Sequence, residues 1–387
     1  MTKLQLFPVY IIGMTLIILI MYWIKFKISN PFWSKQPVVH PHQLLTFYTS
    51  PKIIWDHFYI PKFINHKNII THSWETLPEK NKIQQFISNH YYKEKNGHYI
   101  PSIERHISPY YDNNNNAYVS TYYSNNILIG CIFNRSLQIA LRGETFHVSY
   151  IDFLCVHKGH RKKNVAPELI QTHEYFQRTK TNKKYKISLF KKEGHLHNFT
   201  PLIKYFTMNY KLSKLAHCIH APLPLQYDII HVSLSMKKKI FEFLDEIRTQ
   251  SNCFIIPPLE TLCEMIEKKS IFIYALINKQ GATITAMYFF RNTGLHINSS
   301  KESMECFSTM YTQITRDIFC SAFFTLLKSH FSKNTFLHLE ELGSTKHIVD
   351  AIRKQNIYSK YNVPCAYYLY NYSNTPIHNS EKVVIII

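Results

Sequence analysis

The sequence predicts an α/β protein in which one unit of helix followed by hairpin is used twice, behind an apolar amino-terminal helix. The first observation is a repeated hairpin pattern: residues 117–123 and 127–133 flank Ser124-Asn125-Asn126, and residues 271–277 and 283–290 flank Lys279-Gln280-Gly281. The second is that amphipathic stripes precede both hairpins. Residues 79–92 place Ile83, Phe86, Ile87 and Tyr91 on one face after Pro78, and residues 236–247 and 259–266 do the same in the later half. The third is the uncharged run of residues 4–24.

That run is long enough to cross a hydrocarbon core, and Tyr22 and Trp23 suit an interface. No small-residue cleavage site follows it. Lys25 and Lys27 outweigh Lys3, so the positive-inside bias predicts an uncleaved single-pass anchor over residues 1–28, with the rest of the chain in the cytoplasm. Further on, Asn113 to Asn116 read as a loop and Pro222-Leu223-Pro224 as a linker, which divides the remainder into residues 29–222 and 223–387. Residues 319–331 read as an apolar core helix, 336–342 as a strand, 348–355 as a short helix and 383–387 as a closing strand. Glu340 and Glu341 are adjacent in a strand and so point to opposite faces, which argues against a paired acid and base.

Net charge is +20 with only 25 acids, which favours an anionic partner: nucleic acid, a phosphorylated cofactor or an acidic membrane face. The charge is spread along the chain, which equally suits a generally basic surface. Eight cysteines include no Cys-x-x-Cys pair, so reduced core thiols are expected. The pairs His40/His42 and His195/His197 lack partners at ligand spacing, and no metal is expected.

Chemistry concentrates in residues 148–170. Val148 to Val156 reads as a buried strand, a turn bearing Arg161, Lys162 and Lys163 follows, and Pro167 opens a helix. A helix start beside three cations makes an anion site. The plain alternative is a strand-to-helix connection with solvated charges. Acetyltransferases that use CoA thioesters carry Arg/Gln-x-x-Gly-x-Gly/Ala here, and Arg161-x-x-Asn164-x-Ala166 stands in that frame, Asn164 tolerating the left-handed backbone of glycine.

Phe153-Leu154-Cys155-Val156-His157-Lys158, then Arg161, Lys163, Val165-Ala166-Pro167 and Leu169-Ile170, resemble the signature of N-myristoyltransferases (glycylpeptide N-tetradecanoyltransferases). Phe32-Trp33-Ser34-Lys35-Gln36-Pro37-Val38 resembles a second segment of that family, and Tyr367-Tyr368-Leu369-Tyr370-Asn371-Tyr372 with Glu381-Lys382-Val383 resembles its closing segments. The resemblance implies two fused acetyltransferase-like (acyl-CoA N-acyltransferase) halves around a curved mixed sheet. It implies myristoyl-CoA as co-substrate with no further cofactor, glycine-starting protein acceptors, a monomer and no nucleic-acid partner.

By resemblance, the backbone N–H groups of Phe153 and Leu154 form an oxyanion hole. Phe32, Trp33, Cys155, Val156 and the turn of Arg161, Lys162, Lys163, Asn164, Val165 and Ala166 hold the CoA end of the donor. The carboxylate of Ile387 is the base that deprotonates the acceptor amine. The pattern departs at Lys93 and Lys95, which replace an acidic run, and at Tyr205 and Lys204, which replace a histidine and an aromatic. Basic peptides are therefore not expected to be favoured. Two other functions stay open at this point: a scaffold of the same fold that binds acyl-CoA without turnover, and a membrane-tethered nucleic-acid binder drawn from the charge alone.

Overall fold

The structure is a computed structural model. It describes all residues except 1–2, 41–51, 59–61, 95–96, 115, 181–184, 298–301 and 332–334, with backbone alone for 3–9, 11–12 and 93–94. In chain order the elements that matter here are α1 (Lys3–Ser29), β1 (Ile69–Ser73), α2 (Lys80–His90), β2 (Tyr118–Ser124), β3 (Ile127–Leu141), β4 (Glu144–Val156), α3 (Val165–Thr179), β5 (Ser188–Glu193) and β6 (Ile203–Lys211). They continue as β7 (Tyr227–His231), α4 (Lys237–Gln250), β8 (Cys253–Ile256), α5 (Leu259–Glu267), β9 (Ile271–Asn278), β10 (Thr283–Ile297) and β11 (Glu302–Tyr311). The last are α6 (Arg316–His330), β12 (Phe336–Glu340), α7 (Thr345–Arg353), β13 (Tyr361–Tyr370) and β14 (Val383–Ile385).

One mixed sheet runs through the molecule in the order β7-β9-β10-β11-β12-β6-β13-β5-β4-β3-β8-β14. The expected α/β class holds, and the repetition is visible in the pairing. In the first unit β3 and β4 are antiparallel, α3 crosses over, and β5 returns parallel to β4. In the second, β10 and β11 are antiparallel, α6 crosses over, and β12 returns parallel to β11. The next strand of each unit is exchanged: β6 pairs with β12, and β13 pairs with β5. β6 and β13 also pair antiparallel with each other at the centre.

Local chemistry explains the elements. β2 and β3 join through Asn125 and Asn126, both at positive φ, the two-residue turn whose twist matches paired strands. The stripes of α2 and α4 bury Ile83, Phe86 and Ile87 and Ile240, Phe243, Leu244 and Ile247 against one face of the sheet. The helix predicted over 319–331 starts earlier, at Arg316, where Thr315 caps it by accepting from the N–H of Ile318. Residues 222–224 lie in the connection between β6 and β7.

Two strands outrun their sequence pattern. β3 continues past Phe133 to Leu141 and β10 past Phe290 to Ile297, through Asn134-Arg135-Ser136 and Arg291-Asn292-Thr293. Arg135, Arg291, Asn292 and Thr293 line an internal cavity, whereas Asn134 and Ser136 donate to the carbonyl of Asn116 and to Asn114 Oδ1. The amino-terminal run does form a helix, α1, of 27 residues. However, among the described residues no helix is long and apolar enough to cross a membrane, so the expected transmembrane anchor is not supported there.

Candidate active site

β4 and β5 pair in parallel only from Ser149 to Ile151 against Ser188 to Phe190. Beyond that both strands run on, β4 to Val156 and β5 to Glu193, and the sheet splits. A cavity of about 1460 Å³ opens at the split, lined from both units.

On the β4 side, Cys131 pairs with Cys155 and Phe133 with Asp152, so Phe153 and Leu154 together oppose Ile132. This is a β-bulge, and it places Phe153 at φ 45. Such strain in a non-glycine residue turns peptide N–H groups out of the ladder. The N–H of Phe153 donates to Asp152 Oδ1 at 2.9 Å, so one proposed oxyanion donor is already occupied by a carboxyl oxygen. Burial raises the Asp152 carboxyl pKa, with the charge of Arg135 pulling the other way.

The basic turn follows. Lys162 and Asn164 both take positive φ, and Asn164 at φ 62 has the left-handed conformation expected of it. α3 then begins at Val165, with Pro167 as its third residue. Gly130 on β3 lets this helix start approach. A Cβ there would lie 2.7 Å from Leu169 Cδ1 and 3.2 Å from Val165 Cγ1. Arg161 ties the turn to its neighbours, donating from Nη2 to the carbonyl of His90 at 2.7 Å and from Nε to that of Val156 at 3.3 Å.

Of the residues singled out from sequence, Phe32, Trp33, Phe153, Leu154, Cys155, Val156, Arg161, Ala166 and Ile387 line the cavity. Trp33 is fixed by Phe190, Phe199 and His197 with ring centroids 5.9, 5.0 and 4.9 Å away. Lys162, Lys163, Asn164 and Val165 fall outside its wall: the lysines face solvent, and Val165 is buried against the sheet. The charge reversal at Lys93 and Lys95 lies outside the described side chains.

The second unit supplies a charged floor. The oxygen of Ile387 accepts from Arg291 Nη1 at 2.6 Å, and Arg291 also holds Glu305 Oε2 at 2.7 Å. Lys191 Nζ lies 2.6 Å from both Glu340 Oε1 and Glu193 Oε1, and Tyr205 donates to Glu340 at 3.2 Å. Burial pushes the Glu340 carboxyl up to about 7 despite Lys191. Burial opposes ionisation of Glu305 too, but Arg291 and Lys191 together hold it at about 2. Glu340 is thus the member of this cluster that takes a proton most easily. Glu341 turns outward to Arg353, so the two adjacent carboxylates do face apart. Asn209 Nδ2 lies 3.2 Å from His338 Nδ1, and burial lowers the pKa of that histidine. Arg291, Glu305, Lys191 and Arg135 were not anticipated from sequence, although charged residues set in apolar period-two runs are a signal for them.

The sheet thus splits around a cavity lined from both units, and this arrangement has counterparts among known proteins. Residues 69–188 match the family described as Myristoyl-CoA:protein N-myristoyltransferase, N-terminal domain. Among solved structures, N-myristoyltransferase of Saccharomyces cerevisiae with bound myristoyl-CoA superposes with TM-score 0.71 at 14% identity, covering 92% of this chain and 94% of that one. A second structure of it with myristoyl-CoA gives 0.69 at 16% identity over 92% and 99%. A third, with myristoyl-CoA and inhibitors, gives 0.70 at 14% over 92% and 95%. The search of curated proteins finds no match. At these identities the structural likeness shows the fold, and the match to the family model is confined to residues 69–188, the segment that carries the bulge and the basic turn: over that segment the chain is similar to the N-myristoyltransferase family.

Proposed function

We propose that the protein transfers a tetradecanoyl group from myristoyl-CoA to the amino-terminal glycine of other proteins. The observation that carries this is one cavity touching three things: the bulge at Phe153 and Leu154, Arg161 and Ala166 of the basic turn, and Ile387 on the opposite wall. Phosphates of the donor meet the turn and the free N–H groups at the start of α3. The thioester oxygen takes the N–H groups of Phe153 and Leu154, displacing the Asp152 carboxylate from the former. Each such donor can contribute roughly 3 kcal/mol as negative charge builds on that oxygen.

The acceptor ammonium gives a proton to the Ile387 carboxylate, which Arg291 holds in place. Its nitrogen then attacks the carbonyl carbon, the C–N bond forms, the C–S bond breaks, and the CoA thiolate leaves and picks up a proton. A monomer suffices, since every group invoked belongs to this chain. In this reading α1 tethers the enzyme to a membrane as a single-pass anchor, with the transferase part in the cytoplasm. The test is transfer from labelled myristoyl-CoA to a library of glycine-starting peptides. Acylated glycine detected by mass spectrometry is expected, and donor binding with no acylation across the library would reject catalysis.

A scaffold that binds acyl-CoA without turnover is the second reading. It is favoured by one feature: the N–H of Phe153 and the oxygen of Ile387 are both engaged internally, by Asp152 and Arg291. Asp152→Ala separates the two, since it frees the Phe153 N–H. Faster transfer supports the enzyme with a releasable cap, and unchanged donor binding with no transfer supports the scaffold.

A further inference from the structure

Arg135 is the large cation of the cavity that its surroundings leave unsatisfied. It is only 2% exposed, yet its Nε and Nη1 have no hydrogen-bond partner among the described residues. The hydroxyl of Tyr111, on the same cavity wall, is likewise buried and unpartnered. The guanidinium sits between two rings, its Cζ 5.0 Å from the centroid of Tyr110 and 4.8 Å from that of Tyr150. These rings orient its plane and exclude water. Arg291 and Lys191, by contrast, are each matched by carboxylates within 2.7 Å.

A buried guanidinium left in this state costs several kcal/mol unless an anion joins it. In the β3–β4 pairing Arg135 stands opposite Tyr150 and Phe133 opposite Asp152. Arg135 and Asp152 therefore share one face of the sheet, on neighbouring pairs, next to the bulge. Asp152 makes no ion pair with Arg135 within 4 Å among the described contacts, so it is a nearby charge and not the missing partner.

Resting on the transferase reading above, we propose that Arg135 and Tyr111 form a carboxylate subsite that selects acceptors bearing an aspartate or glutamate just after the terminal glycine. A planar carboxylate fits the planar fork of donors, with the tyrosine hydroxyl as a further donor. The acceptor then presents its ammonium to the Ile387 carboxylate and its acid to Arg135, both in the wall of the same cavity. The same subsite chemistry would also accept a free carboxylate such as that of a fatty acid, and the test separates these sources.

The experiment compares C-terminally amidated glycine-starting peptides that differ only by Glu against Gln at positions two to four. Transfer of labelled myristoyl is read as kcat/KM, and equilibrium binding in the presence of CoA is read alongside it. A preference of about tenfold or more for a Glu peptide is expected, the usual scale of a charged hydrogen-bonded pair. Arg135→Gln is expected to bring the Glu peptide down to the Gln peptide, and Tyr111→Phe to reduce the preference without charge loss. The isosteric comparison in the unmodified protein needs no variant, so a folding failure of Arg135→Gln leaves the test intact. Equal Glu and Gln peptides, or a preference that survives Arg135→Gln, overturns the proposal. Free myristate displaced by Arg135→Gln while the peptides remain equal also overturns it, assigning the subsite to the fatty acid. Tighter binding of the Glu peptide with no transfer upholds the subsite while rejecting the transferase reading.

Discussion

His173 shows how a single buried group couples this protein to pH. Its Nδ1 meets Ser120 Oγ at 2.8 Å, its Nε2 is buried without a hydrogen-bond partner among the described residues, and burial drives its pKa down to about 3. A histidine whose folded pKa is depressed binds its proton more readily when unfolded. Its contribution is complete above about 6.5 and is lost as pH falls from there towards 3. Between pH 7.5 and 5 this amounts to about 2 kcal/mol. His173→Gln is expected to remove that part of the acid-side decline, read as denaturant midpoints across this range. An unchanged slope would mean the ring already reaches solvent when folded. Glu305 has the same sign in a lower window: its carboxyl, held at about 2, loses its contribution only below about 4.5.

At the scale of elements, the site depends on where backbones may touch. Gly343 lies just after β12 at φ 57, and a Cβ there would sit 2.5 Å from the carbonyl oxygen of Val383. The same residue donates its N–H to Ser380 at 2.9 Å, so it sets the path of the segment leading to Ile387. Gly343→Ala should push β14 outward and, through it, Ile387. Transfer is expected to fall by about tenfold or more while the circular dichroism spectrum stays native, because small misplacements of reacting groups are costly. Unaltered kcat would separate the position of Ile387 from the chemistry.

The elements themselves were largely legible in the residues. Periodicity located both hairpins, α2, α4, α5 and the core of α6, and the left-handed Asn164 followed from the turn frame. What stayed hidden was the charged interior. Asn134-Arg135-Ser136 and Arg291-Asn292-Thr293 look like strand ends, because burial of such residues is stabilised only by partners distant in sequence. Nor does sequence reveal that Asp152 caps Phe153, since a bulge depends on which residue of the facing strand is skipped.

For the molecule as a whole, the exchange of β6 and β13 decides what can stand alone. Residues 29–222 contain β5 and β6, but the strand that joins them, β13, arrives only at residues 361–370. Cutting the chain in the 222–224 linker should therefore yield an amino-terminal fragment that is readily proteolysed. Adding the 223–387 fragment is expected to restore resistance and donor binding together. A protease-resistant amino-terminal fragment would show that the seam is dispensable.

The same exchange bears on how the protein is made. During translation β5 and β6 leave the ribosome some 150 residues before the strand that will lie between them. Until then the unpaired edges of β5 and β6 are presented to any other nascent chain. Chaperone demand should accordingly persist until residues 361–370 emerge and fall away after that.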